Sequence, residues 1–339
     1  MRILIVTDAW APQVNGVVRT LEAVIAELPA MGHQVSLISP DRFASLPCPT
    51  YPEIRLALAT TRTVGARIAA AAPDAIHIAT EGPLGLAARR WCLRRGFPFT
   101  TAYHTQFPDY VAERTGLPAA WFWRYIRWFH GPANAVLVST PTIARHLNAH
   151  GLGRTRHWGR GVDLRCFSPD LPPHPAFANL PRPIMLYVGR VAVEKNVAAF
   201  LETAHPGTKV VVGDGPALDD LRRRHPEAHF LGALRGEGLA SAYAGADVFV
   251  FPSRTDTFGL VMIEALVCGT PVAAYPVPGP VDVLIEAVSC MDVDLGTAIT
   301  VALGKDRAAC AAYGRSFTWA ESARQFLSDL SPFRHSDAA

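Results

Sequence analysis

The stretch FPSRTDTFGLVMIEALVCGTPV, residues 251–272, decides the fold. It begins at the end of an apolar run, passes through a polar loop that contains Asp256, and continues in a helical pattern that starts near Gly259. This order predicts a strand, a loop and a helix. Gly259 would leave the first backbone amides of the helix open to an anion, and Asp256 and Glu264 bracket the helix start. Such a unit can hold a negatively charged polyol, with its phosphate on the amides and its hydroxyls on the carboxylates.

The same acidic pair also has a plainer explanation. Asp256 could simply cap the helix, and Glu264 could lie on the exposed helix face, as isolated acidic residues commonly do. The two explanations differ in whether the carboxylates are buried, and the rest of the chain is needed to choose between them.

Length and composition predict two domains with ample cores. The chain has 339 residues, of which 50% are hydrophobic and 18% are charged. Residues 1–165 contain 18 Arg, no Lys and 10 acidic residues, so they carry +8, whereas the remainder carries −5. A half that is basic through arginine alone suggests phosphate or an anionic membrane surface as a partner. A GC-rich genome would also favour Arg over Lys, and no nucleic-acid partner is expected.

The cysteines and the chain start bear on the compartment. Six scattered cysteines, without a C-x-x-C pair, indicate reduced thiols in the cytosol and not zinc ligands. The chain opens directly on an apolar run, without a signal peptide, and no apolar run approaches the roughly 20 residues that span a bilayer. We therefore expect a cytoplasmic protein that is soluble or is attached peripherally to the inner face of the cell membrane.

The first half reads as a doubly wound α/β unit. An apolar run at residues 3–7, a loop with Gly16, a helix and a second strand form the βαβ pattern. Gly16 would lie beyond the carboxyl end of the first strand, where such sheets bind ligands. The loop is not G-x-G-x-x-G, which argues against a dehydrogenase. His104 ends a later predicted strand and would face the same crevice, although a lone histidine can equally be structural.

An aromatic helix is predicted at residues 118–132, PAAWFWRYIRWFHGP. Its aromatic residues can share one face, with Arg124 and Arg127 beside it, which suits a bilayer interface. The arginine-rich helix at residues 89–95 could add a second basic surface. The alternative is an ordinary amphipathic helix packed on the core.

The proline-rich residues 170–183 are interpreted as the interdomain linker. They separate a first domain, residues 1–169, from a second α/β domain, residues 184–316, and a final helix at residues 317–331 should return to the first domain. Two α/β domains joined in this way form a cleft that commonly binds ligands.

The second half contains two further strand-end loops. Gly189, Arg190 and Lys195 belong to GRVAVEKN, and Gly213 belongs to VGDGP. Two cations and the loop amides could converge on a diphosphate. Each loop alone is a weak signal, but together with the stretch around Asp256 they indicate a site for a diphosphate.

GRVAVEKN, VGDGP and SRTDTFGLVMIEALVCGTPV, in this order and spacing, resemble the donor-binding domain of the retaining GT-B glycosyltransferases of family 4. TDAWAPQVNGVVRT and the strand-end YHT resemble the acceptor domain of that family. The resemblance covers nearly the whole chain. It implies a GT-B fold, in which two Rossmann-like doubly wound domains face each other across a cleft.

The resemblance also implies roles for individual residues. Arg190 and Lys195 would bind the diphosphate, and Glu264 would hold the ribose. Asp256 stands where the family usually has the first Glu of E-x7-E and would contact the donor sugar, as would His104 from the acceptor side. The backbone near Leu234 would meet the base. The remaining expected donor contacts are Gly16, Gly189, Gly213, Phe258, Gly259 and Leu260.

The implied reaction loses a nucleoside diphosphate, so it needs charge stabilisation on the leaving phosphate. Arg190, Lys195 and the amides near Gly259 would supply it, with Asp256 and His104 completing the catalytic set. Asp292-Val293-Asp294 resembles a metal-binding DxD, but it follows the donor helix. We expect neither an obligatory metal nor another cofactor. Retention through reaction on a single face is implied by the resemblance alone. The segment after Gly269 departs from the family, because it is shortened where relatives carry a longer loop and strand that contact the donor.

The start of the chain and the SRTDTFG form resemble lipid-directed members of the family. These include diacylglycerol glycosyltransferases and GDP-mannose-dependent mannosyltransferases. The sequence therefore predicts transfer of a hexose such as glucose or glucuronate, from a UDP-linked donor, to a membrane lipid such as diacylglycerol. The alternatives are a GDP-mannose-dependent α-mannosyltransferase, a soluble transferase that acts on a saccharide, a nucleotide-sugar epimerase and a non-catalytic nucleotide-sugar binder.

Overall fold

The chain divides into two units. Its computed structural model describes residues 1–13, 15–48, 51–104 and 118–333, except for the side chains of residues 48 and 51–54. The first unit comprises Met1–Arg160 and Trp319–Ala339, and the second comprises Gly161–Thr318.

Short apolar runs form the parallel sheet of the first unit. The strands of this unit are β1 (Arg2–Val6), β2 (Gln34–Ile38), β3 (Ser45–Cys48), β4 (Tyr51–Ala57), β5 (Ala75–Ile78), β6 (Thr100–Tyr103), β7 (Val136–Val138) and β8 (Thr155–His157). Six of them pair in parallel in the order β2-β1-β5-β6-β7-β8, while β3 and β4 form a separate antiparallel pair. Ile5 lies opposite Leu37 on one side and His77 on the other. β1 is therefore an internal strand, and its residues after Arg2 are buried, as its continuous apolar run requires.

Helices cover both faces of this sheet. They are α1 (Gly16–Glu27), α2 (Thr61–Ala71), α3 (Pro83–Arg95), α4 (Ala119–His130), α5 (Pro141–Ala149) and, from the end of the chain, α13 (Trp319–Asp329). Leu21 and Val24 of α1 share a buried cluster with Ala323 and Phe326 of α13. The last helix is thus part of the core of the first unit.

The second unit repeats the architecture. Its strands are β9 (Ile184–Val188), β10 (Thr208–Val212), β11 (His229–Gly232), β12 (Val248–Phe251), β13 (Val272–Ala274) and β14 (Ser289–Met291). They form a parallel sheet in the order β11-β10-β9-β12-β13-β14. Its helices are α6 (Val197–Glu202), α7 (Leu218–Arg224), α8 (Gly236–Gly245), α9 (Leu260–Val267), α10 (Pro280–Val283), α11 (Leu295–Ala302) and α12 (Arg307–Gly314). Separate apolar clusters lie on the two faces of the sheet.

The crossing between the units differs from the predicted linker. The chain passes from the first unit to the second at Arg160 and Gly161, ahead of residues 170–183. The proline-rich segment packs on the second unit, because Phe177 is buried in its core and the His174 amide donates to the Ser241 carbonyl at 3.2 Å. Burial of an aromatic side chain holds this segment in place and overrides its linker-like composition.

Two further observations concern membrane-spanning helices and the cysteines. In the part of the chain that the structure describes, no helix combines the length and apolar character needed to cross a membrane. The five cysteines whose side chains are described (Cys92, Cys166, Cys268, Cys290 and Cys310) form no disulfide.

Candidate active site

Three loops meet at one edge of the second sheet. β9 lies between β10 and β12, and all three strands are parallel. Their carboxyl ends therefore share one edge, and the loops at residues 189–196, 213–217 and 252–259 emerge there. These loops contain most of the residues that the sequence assigns to the donor.

Two of the loops are held together by their backbones. The Gly189 amide donates to the Val212 carbonyl at 3.0 Å, and the Val191 amide donates to the Asp214 carbonyl at 2.9 Å. Gly213 has a φ of +142°, and a Cβ there would lie 1.8 Å from the Gly189 carbonyl oxygen. Only glycine permits this approach. Gly189 and Gly213 therefore shape the loops, and their contact with a donor stays a prediction.

The first loop is also tied to the loop after β12. Lys195 Nζ donates to Asp256 Oδ1 at 2.5 Å. The Asn196 side chain donates to the Pro252 carbonyl at 3.2 Å, and the Thr255 hydroxyl donates to the Glu194 carbonyl at 3.4 Å. A cation and an anion thus stand side by side on a fixed backbone.

Lys195 and Asp256 remain accessible to a ligand. Their side chains are 26% and 23% exposed, and the ammonium has three donors of which Asp256 takes one. Burial by itself would raise the pKa of the Asp256 carboxyl, but the Lys195 charge and hydrogen bond hold that pKa below its usual value. The Asp256 carboxyl is therefore ionised at neutral pH.

The third loop ends at the start of α9. Gly259 is the N-cap residue, with a φ of +84°, and among the described residues no side chain caps the helix there. A Cβ on Gly259 would lie 2.9 Å from Phe251 Cζ. Phe258 is buried beside it, and Leu260 begins the helix. The helix start therefore presents backbone N–H groups and a partial positive charge, without a carboxylate cap.

Glu264 lies one turn into α9 and is 2% exposed. The hydroxyl of Tyr243, from α8, donates to Glu264 Oε2 at 3.0 Å. Cα–Cβ bonds in a helix tilt toward its N-terminus, so Glu264 leans toward the turn that Leu260 begins. The structure contradicts the plainer explanation of the acidic pair, because Asp256 pairs with Lys195 instead of capping the helix and Glu264 is buried.

Arg190 and Leu234 lie at the same sheet edge. The Tyr187 hydroxyl donates to the Arg190 carbonyl at 2.8 Å, and burial raises the pKa of Tyr187 well above its usual value, so the donor keeps its proton. Leu234 follows the edge strand β11 and packs partly on the core. The predicted contacts of Arg190 with a diphosphate, and of the Leu234 backbone with a base, stay predictions.

Gly16 and His104 belong to the first unit. Gly16 is the exposed first residue of α1, and the side chain of Asn15 caps the helix by accepting from the Val17 and Val18 amides at 3.0 Å. His104 directly follows β6, as expected, whereas Thr105 of the YHT motif lies outside the described residues. Their contacts with a donor stay predictions.

His104 has a partner that the sequence did not reveal. The Arg160 guanidinium lies 3.3 Å from His104 Nδ1, and because a guanidinium can only donate, Nδ1 accepts and Nε2 carries the proton. Burial, reinforced by the Arg160 charge, holds the pKa of His104 well below its usual value. His104 is thus a neutral imidazole whose Nε2–H is a hydrogen-bond donor. The WGRGVD motif around Arg160 was the available signal.

Further groups support the site. Gly279 has a φ of +93°, and a Cβ there would lie 2.8 Å from the Asp256 carbonyl oxygen, so the shortened segment after Gly269 packs on the Asp256 loop. Arg254 stacks on Tyr275 with its guanidinium carbon 3.9 Å from the ring centroid. These are tertiary contacts between loops that are separate in sequence.

The Asp292-Val293-Asp294 motif has a structural role. Asp294 caps α11 by accepting from the Thr297 amide at 2.8 Å, and Asp292 accepts from the Asp294 amide at the same distance. Within the described ranges, no three histidine, cysteine or acidic side chains converge as a metal site.

Two doubly wound parallel sheets, one with a lysine, a helix start and a buried glutamate at the carboxyl ends of its strands, are the architecture of an α/β protein of the GT-B type. A profile described as Glycosyltransferase Family 4 matches residues 14–165, and one described as Glycosyl transferases group 1 matches residues 182–310. The chain belongs to glycosyltransferase family 4, and the protein is a glycosyltransferase, as the sequence predicted.

Named relatives and a solved structure agree with this assignment. The GDP-mannose-dependent alpha-mannosyltransferase of Mycolicibacterium smegmatis is 33% identical, over 84% of this chain and 82% of that one. The sulfoquinovosyl transferase SQD2 of Arabidopsis thaliana is 31% identical, over 80% and 59%. The alpha-monoglucosyldiacylglycerol synthase of Streptococcus pneumoniae is 26% identical, over 82% and 72%. Sucrose-phosphate synthase from Thermosynechococcus elongatus has a TM-score of 0.76 at 25% identity, over 96% and 97%.

Proposed function

We propose that this glycosyltransferase moves a hexose from a nucleoside diphosphate sugar to a hydroxyl of a membrane lipid such as diacylglycerol, with retention at the anomeric carbon. The observation that carries the donor assignment is the Lys195–Asp256 pair. It is partly exposed at the sheet edge, in the unit that also places the α9 start and the buried Glu264 after β12. One cation, open backbone amides and a buried acceptor match the phosphate and ribose of a nucleotide.

Each group would take one part of the donor. Lys195 and the first amides of α9 would stabilise the charge that develops on the leaving phosphate, which is where such preorganised groups accelerate a reaction most. The buried carboxylate of Glu264 would accept hydrogen bonds from the ribose hydroxyls. Asp256 is engaged by Lys195 and would orient the sugar, so retention would follow from reaction on one face and not from an aspartyl intermediate.

The base of the donor has two candidates. The sequence predicts a UDP-linked hexose, and the relatives named for sulfoquinovosyl and monoglucosyldiacylglycerol synthesis leave that prediction open. The relatives at 33% identity are named as GDP-mannose-dependent mannosyltransferases, which favours GDP-mannose as the second candidate. Both donors share the diphosphate and ribose that the proposed site recognises.

The lipid acceptor is supported by an exposed aromatic surface on α4. Trp121 and Trp128 are 65% and 46% exposed, and Arg124 and Arg127 are exposed on the same helix. Tryptophan beside arginine is typical of helices that rest on an anionic bilayer surface. We propose peripheral attachment to the inner face of the cell membrane through this surface.

The structure shows that two residues expected on the basic and aromatic surface of the first unit, Phe129 and Arg89, are buried. Phe129 is fully buried in the core of the first unit. Arg89 is also buried, where it donates to the Trp128 and Phe129 carbonyls at 2.5 and 2.9 Å and stabilises the end of α4. The sequence suggested that both residues are exposed, but Phe129 packs in the core of the first unit and Arg89 packs against the end of α4.

A donor and acceptor panel tests the proposal. The purified protein would be incubated with UDP-glucose, UDP-glucuronate or GDP-mannose, each with dioleoylglycerol vesicles or with maltose, and products would be identified by mass. We expect one donor to yield a glycosyl-dioleoylglycerol, with nucleoside diphosphate released only when the lipid is present. Excess EDTA should leave the rate unchanged, because no metal is proposed. Transfer to maltose alone would overturn the lipid acceptor. If neither dioleoylglycerol nor maltose causes nucleoside diphosphate to be released, the result would contradict the function.

Replacing Arg124 and Arg127 with glutamine should weaken binding to vesicles that contain phosphatidylglycerol. Each basic residue near an anionic surface contributes about 1 kcal/mol, so the partition coefficient should fall by roughly 10- to 30-fold. Co-sedimentation at several salt concentrations measures this. The matched control replaces Arg222 and Arg223, which are exposed on α7 of the second unit, and it should bind as the wild type does. Equal loss in both double variants would leave α4 with no special role.

A further inference from the structure

The first sheet has a point at which its winding reverses. β1 lies between β2 and β5, and the chain adds β2 on one side and then β5 to β8 on the other. In open α/β sheets, ligands bind in the crevice outside the carboxyl ends of the two strands at such a point. Here the residues that follow these strands are Asp8, after β1, and Thr80 and Glu81, after β5.

The Asp8 side chain stabilises the turn between β5 and α3. Its carboxylate accepts from the Leu84 amide at 2.8 Å, from the Gly85 amide at 3.2 Å and from the Thr80 hydroxyl at 2.9 Å. A Cβ on Gly82 would lie 2.5 Å from Asp8 Cγ, so the turn closes tightly over the carboxylate. Asp8 thereby caps the start of α3 and positions the residue that the turn presents, Glu81.

Glu81 is held in place from two directions. His130 Nε2 lies 3.1 Å from Glu81 Oε1, and Thr101 Oγ1 lies 2.8 Å from His130 Nδ1. The Tyr125 hydroxyl donates to the Glu81 carbonyl at 2.6 Å. Burial, together with the negative charges of Glu81 and Asp8, raises the pKa of Tyr125 to about 12, so the phenol remains a donor.

The Glu81 carboxylate can still accept further hydrogen bonds. The side chain is 28% exposed whereas His130 is buried, and a carboxylate accepts about four hydrogen bonds. The chain from Thr101 through His130 fixes its direction. A preorganised carboxylate can bind a neutral group that carries hydroxyls, and its negative charge repels a phosphate. This preference distinguishes the Glu81 position from the proposed donor site of the second unit.

Resting on the proposed function, we propose that Glu81 binds a hydroxyl of the glycosyl acceptor and that His130 is a positioning residue for Glu81. The acceptor class is a neutral polyol or the glycerol portion of a lipid. A hydrogen bond that served stability alone would not need a carboxylate at the reversal point that is partly exposed and whose residue is held through His130, Thr101 and Tyr125.

Kinetics of E81Q test this proposal. The glycosyl acceptor is dioleoylglycerol in phosphatidylglycerol vesicles, or maltose if the wild type transfers sugar to maltose in the donor and acceptor panel. E81Q would lose a hydrogen bond between the carboxylate and a hydroxyl of the substrate. The KM for the glycosyl acceptor should therefore rise by about 10-fold or more. The Kd for UDP or GDP, measured by calorimetry, should not change. T101V should raise the same KM by less, and E81D should restore part of the affinity. The control E22Q, on the exposed face of α1, should match the wild type.

The outcomes separate this proposal from the function on which it rests. If the wild type transfers sugar and E81Q keeps its acceptor KM within twofold, the role of Glu81 is overturned and the function stands. An equal loss of nucleotide affinity and acceptor affinity in E81Q would show general damage and would also overturn it. If the wild type binds nucleotide but transfers sugar to neither acceptor, both the function and the role of Glu81 fall.

Discussion

Replacing Glu264 with glutamine is expected to weaken nucleoside diphosphate binding by about 10- to 100-fold. A hydrogen bond to a charged group contributes about 1.5 to 3 kcal/mol, and a ribose would offer its hydroxyls to a buried carboxylate. Glutamine keeps the shape but loses the charge and presents an N–H₂ group to one hydroxyl. The Kd for UDP and GDP, measured by calorimetry, reports the effect without requiring an identified acceptor.

Two further variants show whether a loss of affinity in E264Q is specific to the Glu264 carboxylate. Tyr243→Phe removes only the hydroxyl that donates to Glu264, and it should weaken nucleotide binding by much less than E264Q. Glu202→Gln changes an exposed acidic residue of the same unit and should leave the Kd unchanged. Unchanged affinity in E264Q, with a wild-type melting temperature, would remove Glu264 from the donor site.

Replacing Lys195 with methionine is expected to lower kcat by about 100- to 1,000-fold. Removal of one preorganised group that stabilises developing charge typically has this effect on a reaction rate. Lys195→Arg should recover only part of the rate, because a guanidinium cannot occupy the position of a compact ammonium. Lys305→Met is the matched control, since Lys305 lies beside Arg182 and Pro183, which precede β9 at the other end of the strand. A K195M enzyme with near wild-type kcat would contradict the proposed role.

The same substitution should change how stability depends on pH. In the wild type, the lowered pKa of Asp256 contributes stability above the unfolded value of about 4, and this is lost only as the pH falls through the lower folded pKa. Without Lys195, burial should raise that pKa above its unfolded value. K195M should then lose stability as the pH rises through the raised pKa, while the wild type does not.

Urea unfolding at pH 5 and pH 8 measures the difference. K195M should have a lower midpoint at pH 8 than at pH 5, and K195M/D256N should lose this pH dependence because the asparagine cannot ionise. An identical pH dependence in K195M and the wild type would show that Lys195 does not control the ionisation of Asp256.

The sequence predicted the parts of the fold that depend on local pattern. Continuous apolar runs such as Ile184–Val188 become buried parallel strands, and the glycines that follow them mark the sheet edge. The stretch at residues 251–272 becomes a strand, a loop and a helix, as predicted. The antiparallel β3–β4 pair was missed, because short strands outside the main sheet carry little periodic signal.

The candidate site was predictable as a set of residues but not as a set of contacts. Lys195 and Asp256 were both identified, yet their pairing joins residues 61 positions apart and depends on the order of the strands. Burial of Glu264 likewise depends on Tyr243 from another helix, so the sequence left the exposed alternative open. Arg160 and Glu81 were missed because their partners, His104 and His130, are brought to them only by the fold.

A crystal structure of the protein with a bound nucleoside diphosphate tests the central claim most directly. The account predicts the diphosphate against Lys195 and the first amides of α9, with ribose hydroxyls within hydrogen-bonding distance of Glu264. A nucleotide bound at another edge of the sheet, or a diphosphate with no contact to Lys195, would contradict it.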